Sequence, residues 1–146
     1  MRFVLDTNVL VAALRSDRGA SRKLLLAALD REIQVIASVP LMIEYEAVLT
    51  RPHNLAAIGL SIEEMNVVLD AVAAVAEPVL LHFHWRPQLK DPADEMVLET
   101  AVNGRADRLV TFNLRHLRPA ARAFGVPAVT PPEAWKDIQR RQEKKS

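Results

Sequence analysis

The chain contains no cysteine, only four glycines and few aromatic residues, which make up 5% of its 146 residues. The absence of cysteine excludes disulfide bonds and thiolate metal sites, and it fits a reducing compartment, so we expect a cytoplasmic protein. The glycines are too scattered for a phosphate-binding loop or a dinucleotide-binding fingerprint. The Gly-x-Ser-x-Gly pattern of a serine hydrolase is also missing. These absences exclude several large enzyme classes.

Long apolar runs are missing too, although 50% of the residues are apolar. No uninterrupted run reaches the length of a membrane span, and Asp6 interrupts the first run too early for a signal peptide. A chain of this length can bury one proper core. We therefore expect a single globular domain over residues 1–135 with no membrane segment.

Positive charge is concentrated in the last third of the chain. Residues 1–104 hold nine Lys or Arg and fourteen Asp or Glu, whereas residues 105–146 hold ten and four. Arg115 and Arg118 lie near a turn that could carry a site, where they could contact phosphates; an ordinary solvated helix face is the alternative. We interpret residues 136–146 as a basic, solvated C-terminal tail that frays.

Short apolar segments alternate with helical patterns along the chain. The predicted strands cover residues 2–5, 33–37, 79–81, 109–112 and 126–129. The predicted helices cover residues 7–15, 20–31, 38–50, 61–76, a long segment beginning at 91–92, and 114–123. This alternation predicts an α/β fold with a central, mostly parallel sheet of about five strands, covered by helices on both faces.

Polar side chains follow two of these strands. Asp6-Thr7-Asn8 comes directly after the first strand, and Thr111 and Asn113 end the strand at 109–112. Ligands of open α/β sheets bind at the carboxyl ends of the strands, so Asp6 and Asn113 are expected to face one cleft. The alternative is that each residue merely caps the helix that follows it.

Two further helices contribute candidate acids. Asp91-Pro92-Ala93-Asp94 opens a helix, and helix capping alone would explain both acids. Asp94 nevertheless begins the stripe that faces the sheet. Glu44 and Glu46 both flank the apolar face of the helix at 38–50, and periodicity does not choose between them.

The segment 82–92 lacks helical periodicity, and we interpret it as a loop that leads to the helix at Pro92. His82 and His84 have a spacing that could suit a metal on a strand. No third histidine or cysteine lies nearby, so we do not assign them a metal role.

These four features, in this order and spacing, resemble a PIN domain. They are Asp6-Thr7-Asn8, Glu44 in its Ile-Glu-Tyr-Glu-Ala-Val-Leu helix, Asp91-Pro92-Ala93-Asp94-Glu95, and Leu-Val-Thr-Phe-Asn ending at Asn113. The resemblance extends from Met1 to about Trp135. The chain is most similar to the VapC-like toxin components of bacterial and archaeal toxin-antitoxin pairs.

The resemblance implies a three-layer α/β/α fold and an endoribonuclease in which Asp6, Glu44 and Asp94 hold Mg²⁺ or Mn²⁺. Asn113 replaces a further aspartate of many PIN domains, which puts a second metal or full activity in question. Further expected roles are ligand or substrate orientation by Thr7, Asn8, Asp91 and Thr111, and RNA phosphate contacts by Arg115 and Arg118. RNA, a cognate antitoxin and a second copy of the chain are the expected partners. A catalytically weak PIN domain that acts as an RNA- or protein-binding adaptor is the alternative.

Overall fold

The computed structural model describes residues 1–82 and 89–145. Its five strands are β1 (Arg2–Leu5), β2 (Gln34–Ser38), β3 (Glu77–Val79), β4 (Arg108–Val110) and β5 (Ala128–Val129). They form one parallel sheet in the order β3-β2-β1-β4-β5. The prediction of a parallel sheet of about five strands is confirmed.

Eight helices surround the sheet in the described part of the chain. They are α1 (Thr7–Arg15), α2 (Ala20–Leu29), α3 (Val39–Leu49), α4 (Pro52–Ile58), α5 (Ile62–Val75), α6 (Pro92–Asn103), α7 (Leu114–Ala123) and α8 (Pro131–Lys145). Parallel crossovers are right-handed, so the connections from β1 to β3 cover one face and those from β3 to β5 cover the other. The packing agrees, since α1 contacts α2, and α6 contacts α7. None of the described helices is long and apolar enough to cross a membrane.

The core lies between the sheet and these helices. The strand residues Phe3, Val4, Ile36 and Leu109 are almost completely buried, and the helices pack leucines against them, such as Leu98 of α6. Strands buried on both faces read as nearly continuous apolar runs, which is why these short segments could be recognised in the sequence.

The structure ends β4 at Val110 instead of residue 112 and begins β5 at Ala128 instead of residue 126, and it differs further from the prediction at three places. Helix α4, which begins at Pro52 and is followed by Gly59 with a positive φ of 84°, was not predicted. Strand β3 is Glu77–Val79 rather than residues 79–81, because its partners on β2 are Ile36 to Ser38. Helix α8 continues past Trp135 to Lys145 where we expected a fraying tail.

Contacts with the body of the domain hold α8 as far as Ile138. Ile138 is buried, and Asp137 accepts a hydrogen bond of 3.1 Å from Nε of Arg108 on β4. The basic residues from Arg140 onward are exposed.

Candidate active site at the ends of β1 and β4

The strand order reverses between β1 and β4. The chain moves outward from β1 to β2 and β3, then returns to the other side of β1 as β4 and continues to β5. At such a switch point, the connections leave neighbouring strands on opposite faces and open a crevice at the carboxyl ends of the strands. Asp6 follows β1 at this crevice, and Thr111 to Asn113 follow β4.

A hydrogen-bonded chain links these two strand ends. The Thr111 hydroxyl donates to Oδ2 of Asp6 at 2.7 Å and accepts the backbone N–H of Asn113 at 2.9 Å. Because the hydroxyl accepts from Asn113, its own proton is directed to Asp6. Asp6 and Thr111 are both buried, with 6% and 0% of their surfaces exposed. This network holds the Asp6 carboxylate in one orientation.

Asp94 is held by the same segment. Nδ2 of Asn113 donates to Oδ2 of Asp94 at 3.0 Å, and Asp94 is 8% exposed in the first turn of α6. Asn113 occupies the N-cap position of α7 but makes no capping bond with its side chain, and the same is true of Asp6 at the start of α1. The capping alternative therefore does not describe either residue. It does describe Asp91, whose Oδ1 accepts the backbone N–H of Ala93.

The electrostatics show that the two acids lie close enough to interact. Burial raises the pKa of Asp6 above its usual range, and the charges of Asp94 and Asp91 raise it further, while the Thr111 hydrogen bond opposes the change. Burial also raises the pKa of Asp94; the hydrogen bond from Asn113 and the charge of His116 oppose this, whereas Asp91 adds to it. A cation between Asp6 and Asp94 would relieve both effects.

The two glutamates of α3 differ in their exposure to solvent. Glu44 is half-buried and Glu46 is exposed, in a groove between α3 and α5. The neighbouring Tyr45 is buried and its hydroxyl donates to the carbonyl of Leu5, which fixes α3 to the residue before Asp6. Burial, with a smaller effect from the Asp6 charge, raises the pKa of Tyr45, so this hydroxyl stays protonated as a donor.

The Glu44 side chain makes no hydrogen bond or ion pair within residues 1–82 and 89–145. Over the same residues, no three His, Cys, Asp or Glu side chains come together in a group that could hold a metal ion. The structure therefore brings Asp6 and Asp94 together, and the third ligand, Glu44, stays a prediction.

An open pocket of about 600 Å³ lies beside Asp94. Leu89, Lys90, Asp91, Asp94, Asn113, Arg115 and His116 line it. Lys90 and His116 were not predicted as site residues. His116 follows Asn113 by three residues and so shares its helical turn, which was the signal available in the sequence.

Thr7, Asn8 and Arg118, which were predicted as site residues, are not among the residues that line this pocket. Thr7 is buried and Asn8 exposed at the start of α1. Arg118 does not line the pocket: its Nε donates to the carbonyl of Ala128 at 3.2 Å, and its guanidinium pairs with Glu133 at 3.5 Å. His84 and most of the predicted loop lie outside the described residues.

Asp107, the acid before β4, lies at the other end of the sheet. Its Oδ2 accepts the backbone N–H of Arg2 at 2.7 Å, at the start of β1. Since β1 and β4 are parallel, the amino end of β1 is far from the crevice. Asp107 therefore has a structural role.

The comparisons with known proteins agree with this geometry. No curated protein matches the chain. The family profile described as a PIN domain matches residues 2–115, which include every element from β1 to the beginning of α7. A PIN domain indicates a nuclease-type function, and the matched range contains Asp6, Asp94, Thr111 and Asn113. The chain belongs to the PIN domain family.

Proposed function

We propose that this protein is a divalent-metal-dependent endoribonuclease that hydrolyses phosphodiester bonds in RNA. The observation that carries the proposal is the buried pair of Asp6 and Asp94 at the switch point of the sheet. Each acid is fixed by a partner from the segment 111–113, and Asp94 lines a pocket that also holds cationic side chains.

The donor set fits a hard cation. Mg²⁺ prefers oxygen ligands and often uses only one or two carboxylates, with water and substrate phosphates as the other ligands. Asp6 and Asp94 would hold Mg²⁺ or Mn²⁺, and Glu44 is the third expected ligand. When bound, such an ion lowers the pKa of a water molecule and neutralises charge on the phosphate.

The side chains around the acids would bind and orient the substrate. Thr111 and Asn113 keep both carboxylates in place through the hydrogen bonds described above. Arg115 and Lys90 project into the pocket and would contact phosphates beside the cleaved bond. Thr7 and Asn8 lie at the N-terminus of α1, where backbone N–H groups favour an anion.

Cleavage of RNA by purified protein tests the proposal. We expect a mixed single-stranded RNA pool to be cleaved with Mg²⁺ or Mn²⁺ and not with EDTA. Asp6→Asn should lower the rate by at least roughly tenfold to a hundredfold, which is the range seen when residues supporting a metal site are lost. Asp70→Asn is the matched control, because Asp70 is exposed on α5 and lines the groove beside α3 instead of the pocket.

One observation favours the adaptor alternative. Asn113 stands where many PIN domains have a negatively charged aspartate, and its amide nitrogen donates a hydrogen bond to Asp94. Calorimetric titration with Mn²⁺ distinguishes the two functions. Metal binding that depends on Asp6 without any cleavage would favour the adaptor. The metal-dependent mechanism would be refuted if Asp6→Asn, and the wild-type protein in EDTA, cleaved RNA as fast as the wild-type protein with metal.

The toxin role, the antitoxin partner and the homodimer are proposed from the resemblance to VapC-like proteins. Induced expression in a bacterial host should arrest growth, whereas Asp6→Asn should not. Normal growth with abundant wild-type protein would contradict a toxin function and leave the nuclease proposal intact. Sedimentation at several protein concentrations tests the dimer.

A further inference from the structure

Helix α7 carries three arginines on one face. Arg115, Arg118 and Arg122 are separated by three and four residues, which places them in a single row along an α-helix. Over seven residues the row extends about 10 Å at 1.5 Å per residue. No Asp or Glu occurs anywhere in the ten residues of α7, so the row lacks the alternating charges of an ordinary solvated helix.

Three adjacent hollows lie along this row, and the first of them is the pocket beside Asp94. Arg115 lines the pocket beside Asp94 and also a second hollow of about 480 Å³. Arg118 and Arg122 line the second hollow and a third one of about 320 Å³. Each hollow therefore shares an arginine with the next, so the hollows follow one another along α7 from the pocket beside Asp94.

The guanidinium groups at both ends of the row are available for a ligand. Arg115 and Arg122 are exposed, and their side chains make no hydrogen bond or ion pair within residues 1–82 and 89–145. Arg118, between them, is half-buried and held by Ala128 and Glu133. A fixed central arginine with two free neighbours is suited to a chain of negative charges rather than to one anion.

We propose that Arg115, Arg118 and Arg122 form a track that binds the phosphate backbone of the RNA strand on one side of the cleaved bond. This inference rests on the proposed nuclease function and extends it. The carboxylates of Asp6 and Asp94 repel phosphates, so a strand bound beside them is held by cationic side chains further along α7. Because this row runs from the pocket along α7, the track serves nucleotides on a single side of the cleavage position.

Binding without cleavage tests the track separately from the activity. Fluorescence anisotropy with a labelled single-stranded RNA in EDTA should show that Arg122→Gln weakens binding roughly threefold to fivefold. The salt dependence should also fall, by about 0.7 in the slope of log affinity against log salt for one lost phosphate contact. Arg51→Gln is the control, since Arg51 is exposed at the start of α4 and lines none of the three hollows.

Equal binding by Arg122→Gln, Arg51→Gln and wild type would overturn the track. So would equally tight binding of polyglutamate, because an acidic peptide would then be the ligand. Single-stranded DNA of the same sequence has the same phosphates as the RNA but lacks the ribose hydroxyl. Its affinity therefore shows whether the protein recognises phosphate or ribose. These results stand whether or not the protein cleaves RNA, so failure of the nuclease proposal remains distinguishable.

Cleavage assays then test the direction of the track. Substrates extended at only one end should be cleaved with a lower KM than a minimal substrate, and Arg122→Gln should remove that gain without changing kcat. Extension at the opposite end should not depend on Arg122. An equal dependence on Arg122 at both ends would contradict the one-sided path.

Discussion

Replacing Thr111 by valine tests the hydrogen-bonded chain that fixes Asp6. Valine has nearly the shape of threonine, so the variant keeps the packing of a completely buried residue and removes its hydroxyl. Two bonds disappear, one to Asp6 and one from the Asn113 N–H. A hydrogen bond to a charged group contributes about 1.5–3 kcal/mol and a neutral one about 1 kcal/mol. We expect a loss of about 2.5–4 kcal/mol in the free energy of unfolding.

Thr111→Ser is the matched variant, since serine keeps the hydroxyl and loses one buried methyl group, which contributes about 1 kcal/mol. Urea denaturation at neutral pH in EDTA should therefore rank Thr111→Val below Thr111→Ser. The hydrogen bond from Thr111 favours ionised Asp6, so the gap between the two variants should narrow in acid. If Thr111→Val were as stable as Thr111→Ser, the hydroxyl would not support Asp6 and the reasoning would be wrong.

Three further substitutions test separate parts of the structure. Because the folded chain raises the pKa of Asp6 above its ordinary value of 3.8, stability falls as pH rises through that raised pKa. Asp6→Asn should thus stabilise the metal-free protein by about 0.5–2 kcal/mol at pH 7, and urea denaturation should show the gain vanish below the ordinary range of aspartate. Tyr45→Phe removes the buried bond to Leu5 and should lower stability by about 0.5–1.5 kcal/mol in the same assay; no change would mean that this bond does not hold α3. Gly104→Ala places a Cβ 2.5 Å from Cδ1 of Ile36 and 2.9 Å from a backbone carbonyl oxygen. Thermal denaturation should therefore show a loss of about 1–3 kcal/mol in the free energy of unfolding. An unchanged melting temperature would refute the close packing.

The positions of the main elements could be predicted because the strands are short apolar runs between strong helical patterns. The prediction of α7 at residues 114–123 is confirmed without a shift. Strand β3 was misplaced because its apolar neighbour Leu80 looked like a strand residue, whereas 70% of Leu80 is exposed beyond the sheet edge. Helix α4 was missed even though Pro52 begins it and Gly59 follows it, which are ordinary start and stop signals.

The candidate site was predictable only as a set of separate residues. Strand ends could place Asp6 and Asn113 near one edge, but the bond from Thr111 to Asp6 joins residues that are 105 positions apart. Periodicity left Glu44 and Glu46 equivalent, and only the packing of α3 exposes one of them more than the other. Lys90 carries no local signal, because its place in the pocket depends on how α6 packs beside α7.

The helix starts at this edge support a function independently of the family. Helices α1, α6 and α7 begin beside the two acids, and of these three only α6 has a side-chain cap, from Asp91. Helices α3 and α5 have ordinary side-chain caps, from Ser38 and from the Ser61 capping box. A side-chain cap contributes about 1 kcal/mol, yet Asp6 and Asn113 occupy cap positions and direct their side chains to Thr111 and Asp94 instead. Two caps are given up and two acids are buried close together at the same place. The burial of two acids side by side destabilises the metal-free fold, which is the pattern expected where side chains are arranged to hold a cation and a substrate.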